Sequence, residues 1–330
     1  MEGLKLQTPV ETGRGAVSIS LKDRIFVLGS CFADNMGQKM VDLGFDVCLN
    51  PFGTLYNPVS VCNSVARLTS GIPFSKDECV QMGAGAGLVC SFSHHTSFAR
   101  RTEDEFLQVA NASLKEASLR WKAASKVIIT LGTAWIYEYT RSGETVSNCL
   151  KIEAKEFTRR RLSVRETATL LMNMIARHPE KEFMFTVSPI RHFKDGAHGN
   201  QLSKATLLLA LDALQTEFPE RISYFPAYEI LMDELRDYRF YADDMLHPSP
   251  LAVDYIAECF GQTFFDRETQ ATRKEWEEIG KAIAHRPLQP ASEGYQRFIT
   301  QTLLKVQQLK AKMPFFEVSK EIEILTAKLR

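Results

Sequence analysis

The chain is poor in the features that hold small or exported proteins together. Its seven cysteines, at positions 31, 48, 62, 79, 90, 149 and 259, are an odd number in 330 residues, and none forms a C-x-x-C pair. That argues against a disulfide framework and against a thiolate zinc site. No run approaches the roughly 18 apolar residues of a membrane span. The opening stretch, MEGLKLQTPVETGRG, begins with an acid and carries no apolar leader core. Excess charge is missing too: Lys plus Arg and Asp plus Glu number 40 each, so nothing general draws the chain to nucleic acid or to a membrane surface. GAGAG at 83–87 lacks the GK[ST] of a phosphate loop, and no helical pattern follows it. His94 and His95 have no second ligand cluster at matching spacing. The expectation is a reducing, cytoplasmic setting with no cofactor, no metal, no nucleic acid and no membrane.

What is present is an ordinary globular composition, 45% hydrophobic and 24% charged, in a chain long enough to bury roughly 75% of its unfolded surface. Apolar strand-like runs at 25–28, within 46–54 where a strand runs into a loop, and at 126–132, 182–189 and 222–226 alternate with helical periodicity at 34–43, 57–68, 103–124, 163–178, 201–218, 227–235 and 251–265. Such alternation predicts a parallel sheet covered on both faces, a three-layer α/β/α fold. The segment WIYEYTRSGETVSNCL reads as a hairpin, and TRRRL at 158–162 as a solvated basic loop. After residue 266 the pattern changes to three helical stretches. The expected division is a domain over 1–266 and a helical extension over 267–330, with its Lys- and Glu-rich helices as a surface for self-association.

Reactive groups in open parallel sheets gather at the carboxyl ends of the strands. The residues found there are Ser30 and Cys31 after the first run, Gly53 and Tyr56 after the second, and Gly132 and Trp135 after the third. Arg191 and His192 follow the fourth. Just before the last helix of the sheet comes D-x-x-H, Asp244 to His247. An acid three residues ahead of a histidine can turn back to fix its tautomer and stabilise the imidazolium. Cys149, in the predicted hairpin, could approach the same region, though packing is its simplest role; Cys48, Cys62, Cys90 and Cys259 read as packed small hydrophobes.

GSCFA at Gly29–Ala33 is the signature of the GSCFA family, and the chain resembles it further in NPFGTLYNP (50–58), LGTAW (131–135), TVSPIRH (186–192) and YRFYADDMLHPS (238–249). The family is grouped with the SGNH or GDSL-type hydrolases. The resemblance therefore implies a flavodoxin-like SGNH-hydrolase fold and an esterase or acyltransferase chemistry, on a small-molecule or carbohydrate ester. SGNH hydrolases carry Gly-Asp-Ser, Gly, Gly-x-Asn-Asp and Asp-x-x-His in four blocks. The last matches at Asp244 and His247, and the second at Gly53. Ungapped, Gly29-Ser30-Cys31 lies over Gly-Asp-Ser and puts Cys31 at the nucleophile; a slip of one residue would put Ser30 there. At a helix start facing His247, the Cys31 thiol is expected to have a lowered pKa. In the third block Gly132 is present but Ala134 stands where Asn would donate to an oxyanion. The amides of Cys31 and Gly53 are the expected oxyanion donors, with Asn57 or Asn148 replacing the lost side chain. Trp135 and Tyr56 would form an aromatic wall, His192 would line the pocket and Arg191 would contact an anion. The missing Asn leaves open an inactive binding module on the same fold, and a thiol-transfer role for Cys31 is a third reading.

Overall fold

The computed structural model describes residues 8–13, 16–314 and 316–329. Residues 1–7 and 14–15, most of the stretch searched above for a leader, lie outside the described residues. Along the chain, β1 (Arg24–Gly29) leads to α1 (Cys31–Asp42), β2 (Asp46–Leu49) and α2 (Pro58–Ser70). A two-residue ladder of β3 (Val80–Gln81) and β4 (Val89–Cys90) follows. Next come α3 (Glu103–Ala123) and β5 (Lys126–Leu131), then β6 (Trp135–Tyr139), β7 (Thr145–Val146) and β8 (Phe157–Arg161). After α4 (Val164–Ala176), β9 (Glu182–Val187), α5 (Gly196–Glu217) and β10 (Ile222–Phe225), one turn of α6 (Ala227–Glu229) passes into a π-helical turn at Ile230–Glu234. The chain continues through α7 (Pro250–Phe264), α8 (Arg267–Ala284), α9 (Glu293–Lys312) and α10 (Ser319–Lys328). Among the described residues, no helix is long and apolar enough to cross a membrane.

The central sheet has the order β2-β1-β5-β9-β10, with every pairing parallel. Its strands read as unbroken apolar runs because both faces are covered. Phe26 and Leu28 pack with Val127, Ile129 and Phe183 against α2, α3, α4 and α5. Ile25 and Val27 pack with Ile128 and Met184 against α1 and α7 on the opposite face. The alternation of side chains along each strand thus divides one sheet between two cores, which is the expected three-layer α/β/α arrangement. Counting only these five strands, the order is 2-1-3-4-5, and the winding reverses between β1 and β5. Side chains beyond their carboxyl ends face an open crevice rather than a neighbouring crossover.

Three local expectations change. Helix α1 starts at Cys31, not at position 34, because Ser30 occupies the N-cap and Phe32 already packs into the core. Helix α5 starts at Gly196, inside a Gly- and His-rich stretch that reads as loop. There the Asn200 side chain accepts from the His192 amide (3.0 Å), folding the preceding segment back onto the start of the helix. TRRRL is a strand, not a solvated loop: β8 pairs antiparallel with the whole of β6, and β7 completes a small sheet over the crevice. Alternation along β8 sends Arg159 inward while Arg160 faces Glu138 and Glu166 outside.

The C-terminal helices share the second core rather than hanging from it. Ile279, Ile299, Val306 and Leu325 are buried with α1 and α7. The Trp276 indole donates to the Asp42 carbonyl (3.2 Å), and its ring meets Phe316 at 4.9 Å. Phe316 in turn fills the space beside Gly44, which ends α1 at φ +87 and where a Cβ would collide with that ring. Since Phe316 is 1% exposed, Phe316→Ala should cost about 3–5 kcal/mol. Urea unfolding followed by tryptophan fluorescence and circular dichroism checks this; one shifted transition is expected, and an independent early transition of the helices would contradict the shared core.

Candidate active site

The site begins with a glycine. Gly29 ends β1 at φ +145, and a Cβ there would fall on the Thr130 carbonyl oxygen of the adjacent strand. Both the conformation and the space require glycine. Its amide donates to Asn50 Oδ1 (2.8 Å), and Asn50 Nδ2 donates to Asp34 Oδ1 (2.6 Å), tying the ends of β1 and β2 to the first turn of α1. Asn50 holds φ +39, a left-handed conformation that Asn tolerates better than most residues. Ser30 is 1% exposed, its hydroxyl has no partner among the described residues, and it does not reach the crevice. Cys31, one residue on, lines it.

Cys31 Sγ lies 3.7 Å from His247 Nε2, and His247 Nδ1 lies 2.5 Å from Asp244 Oδ2. The other Asp244 oxygen accepts the amides of Leu246 and His247, both at 2.9 Å. Met245, between them, takes φ +58 to close that loop. These hydrogen bonds, the backbone ones foremost, hold the Asp244 carboxyl down at about 2. Of the two adjacent acids it is Asp244 that faces the imidazole.

The expected depression of the thiol does not appear. Burial pushes the Cys31 thiol above its ordinary value, and the carboxylates of Asp34 and Asp244 add to this. The amides of Cys31 and Phe32 at the helix start pull the other way without prevailing. Near neutral pH the sulfur is therefore protonated and needs a base to release it.

The crevice encloses a cavity of about 570 Å³. Tyr56, Trp135, Tyr137 and Phe193 give it an aromatic wall, and Asn57, Asn148, Arg191 and His192 all line it. Asn57 caps α2: its Oδ1 accepts the Ser60 amide at 2.9 Å. Only oxygen can accept there, so its Nδ2 is the end left over, and it has no partner among the described residues. Asn148 Oδ1 is likewise occupied by the Leu150 amide (2.8 Å). Gly132 supports the wall from behind. Its amide and that of Thr133 both donate to the Tyr56 carbonyl (2.8 and 2.9 Å). A Cβ on Gly132 would sit 3.4 Å from His192 Nε2. That nitrogen is buried without a partner, and burial, reinforced by the ammonium of Lys204, lowers the imidazole to about 4. His192 is neutral at pH 7.

Gly53 is a correction. Its amide already donates to the Asn50 carbonyl (2.7 Å), its φ is +85 and a Cβ would collide with His95, so it shapes the β2 loop and offers nothing to an oxyanion. His94 is buried among Phe52, Phe74, Phe98 and Phe106 with Nδ1 at 2.7 Å from Ser91 Oγ, a packing role. Among the described residues no three His, Cys, Asp or Glu side chains gather to hold a metal ion.

Tyr137, Arg159, Phe193, Lys194 and Asp195 line the cavity and Lys204 lies behind it, and all six escape the sequence reading. Arg159, taken for solvated, stacks over Trp135 at 4.3 Å and pairs with Asp195. Lys204 is wholly buried, and its ammonium joins the carbonyls of Gly132 (2.7 Å) and Ser188 (2.6 Å), locking the ends of β5 and β9 together; burial lowers it to about 7. A signal existed: Lys204 falls on the apolar stripe of Leu207, Leu211 and Leu214, where a lone cation must find carbonyl partners.

A thiol, an imidazole and a carboxylate in sequence at the switch point of a doubly wound sheet, beside an aromatic cavity, make this an α/β protein with a cysteine-centred candidate site. The chain belongs to the GSCFA family, which its residues 24–260 match, and residues 276–330 match the GSCFA domain protein, C-terminal domain. No curated protein matches it.

Because burial raises the thiol, alkylation of Cys31 by iodoacetamide should climb with pH to beyond the ordinary thiol range, as thiolate accumulates only there. Quenched alkylation read by mass spectrometry checks this, and a rate already level below pH 7 would show a depressed thiol instead.

Proposed function

We propose that this protein is an esterase or acyltransferase that works through a thioester on Cys31. The observation that carries the reading is the Cys31–His247–Asp244 line opening onto the cavity. The sulfur attacks the ester carbonyl as its proton passes to His247 Nε2. Asp244 keeps the other ring nitrogen protonated and steadies the imidazolium. The tetrahedral oxyanion meets the Cys31 amide, one of the unsatisfied donors at a helix start. Asn57 Nδ2 and the neutral His192, protonated on Nε2, complete the hole, standing in for the third-block Asn of SGNH hydrolases. Collapse expels the alkoxide, which takes the proton from His247. Water or an acceptor hydroxyl, deprotonated by the same imidazole, then attacks the thioester carbonyl; the C–S bond breaks, and the Cys31 thiolate takes the proton back from His247. Each side-chain donor is worth about 3 kcal/mol of transition-state stabilisation. Esters rather than amides follow from the SGNH resemblance, and a reducing cytoplasm suits a site that needs a free thiol.

The protonated resting thiol and the missing Asn favour one rival, a module that holds an ester without cleaving it. Hydrolysis of 4-nitrophenyl acetate separates the two. Cys31→Ala should abolish turnover, and His247→Ala or Asp244→Asn should lower kcat by roughly 10²–10⁴-fold. Ser30→Ala should leave most of it. Equal activity across all four would reject the thioester route.

A further inference from the structure

The cavity wall away from Cys31 is cationic in a chain whose charges balance overall. Arg159, Arg191 and Lys194 line it against a single acid, Asp195. Asp195 is itself committed: its side chain is 2% exposed and paired with Arg159. Arg191 and Lys194 have no carboxylate partner among the described residues. The Arg191 guanidinium lies 5.3 Å over the Phe193 ring, and its Nε is buried with nothing to donate to. Lys194 Nζ donates to the Tyr137 hydroxyl (2.7 Å), a neutral acceptor that leaves its charge uncompensated. The remaining acid of the site, Asp244, is engaged by His247 and two amides. His192, neutral, adds no charge of either sign.

Half-buried Arg191 loses hydration in this partly enclosed, aromatic-walled cavity and shares it with Arg159 and Lys194, and an anion relieves both that loss and the repulsion. Their placement is built rather than incidental. The Arg191 amide donates to the Leu246 carbonyl at 3.4 Å, linking this loop to the one that carries His247. Arg159 is fixed between Trp135 and Tyr137, at 4.3 and 5.2 Å from the two rings.

We propose that this wall is a subsite for an anionic group, a carboxylate or a phosphate, borne by the substrate and gripped by Arg191 and Lys194, with Trp135, Tyr137 and Phe193 flanking the carbon skeleton that carries it. As an account of substrate choice it rests on the acyl-transfer reading, but anion binding itself does not require Cys31. A guanidinium suits the paired oxygens of either group, and the ammonium adds a point charge.

The test has two arms. In the first, isothermal titration of the full-length Cys31→Ala protein uses benzoate, phenyl phosphate and neutral benzamide. At least one anion should bind 10-fold or more tighter than benzamide, and the tighter anion identifies carboxylate or phosphate as the preferred group. Lys194→Glu, at an exposed position that folding should tolerate, should weaken that binding at least 10-fold, as should Arg191→Gln. No preference over benzamide overturns the subsite. In the second, wild-type kcat/KM is compared for mono-4-nitrophenyl succinate and 4-nitrophenyl butyrate. A preference of 10-fold or more for the anionic ester, lost in Lys194→Glu, supports the subsite as a determinant of substrate choice. Anion binding with turnover of neither ester keeps the subsite and removes acyl transfer. Turnover of both esters alike, without anion binding, removes the subsite and keeps acyl transfer.

Discussion

Everything at this site hangs on the approach of β1 to β5 at Gly29. The two strands run level, Gly29 beside Thr130, and only a residue without a side chain can occupy that place at φ +145. The close approach puts the next two residues, Ser30 and Cys31, at the cap and first position of α1, where the winding of the sheet reverses. It also frees the Gly29 amide to reach Asn50, and through Asn50 the chain connects to Asp34 one turn along the same helix. The turn that carries the sulfur is thus tied to β5, to the end of β2 and to α1. A methyl group on Gly29 would push β1 from β5 and tilt the whole turn.

The proposed route asks the electrostatics around that turn for proton transfer on demand. Burial and two nearby carboxylates keep the sulfur protonated, so a reactive thiolate is not stored in the resting protein. Asp244, held strongly ionised by backbone amides, is placed to stabilise an imidazolium at the moment it forms. On the other side, Lys204 holds two strand ends through their carbonyls and helps keep His192 neutral. A neutral imidazole can donate one hydrogen bond without adding a second positive charge beside His247.

Much of this was legible in the sequence where a periodicity or a strand end marked it. The five buried strands, the two-sided core, and the pairing of Asp244 with His247 all follow from apolar runs and D-x-x-H spacing. The ungapped register of Gly29-Ser30-Cys31 points to Cys31 and a one-residue slip to Ser30; the structure brings Cys31 to the histidine while burying Ser30. Other features depend on tertiary contacts that no local pattern encodes. The Gly53 amide is the local exception: it closes a turn onto the Asn50 carbonyl three residues back, and so is not the free loop donor it reads as. Arg159 looks solvated because its neighbours Arg160 and Arg161 share its charge; only pairing of β8 with β6 decides which arginine faces inward. The thiol pKa went the opposite way because helix-start amides are local and visible, whereas burial is a property of the assembled cavity.

The central claim is that Cys31, driven by His247, carries the acyl group. Brief incubation with 4-nitrophenyl acetate, acid quench and tryptic mass spectrometry of the peptide Ile25–Lys39 tests it most directly, since that peptide contains both Ser30 and Cys31. The account predicts an acetyl group on Cys31, labile to hydroxylamine and absent in His247→Ala. An acetyl group on Ser30, or equal labelling without His247, would contradict it.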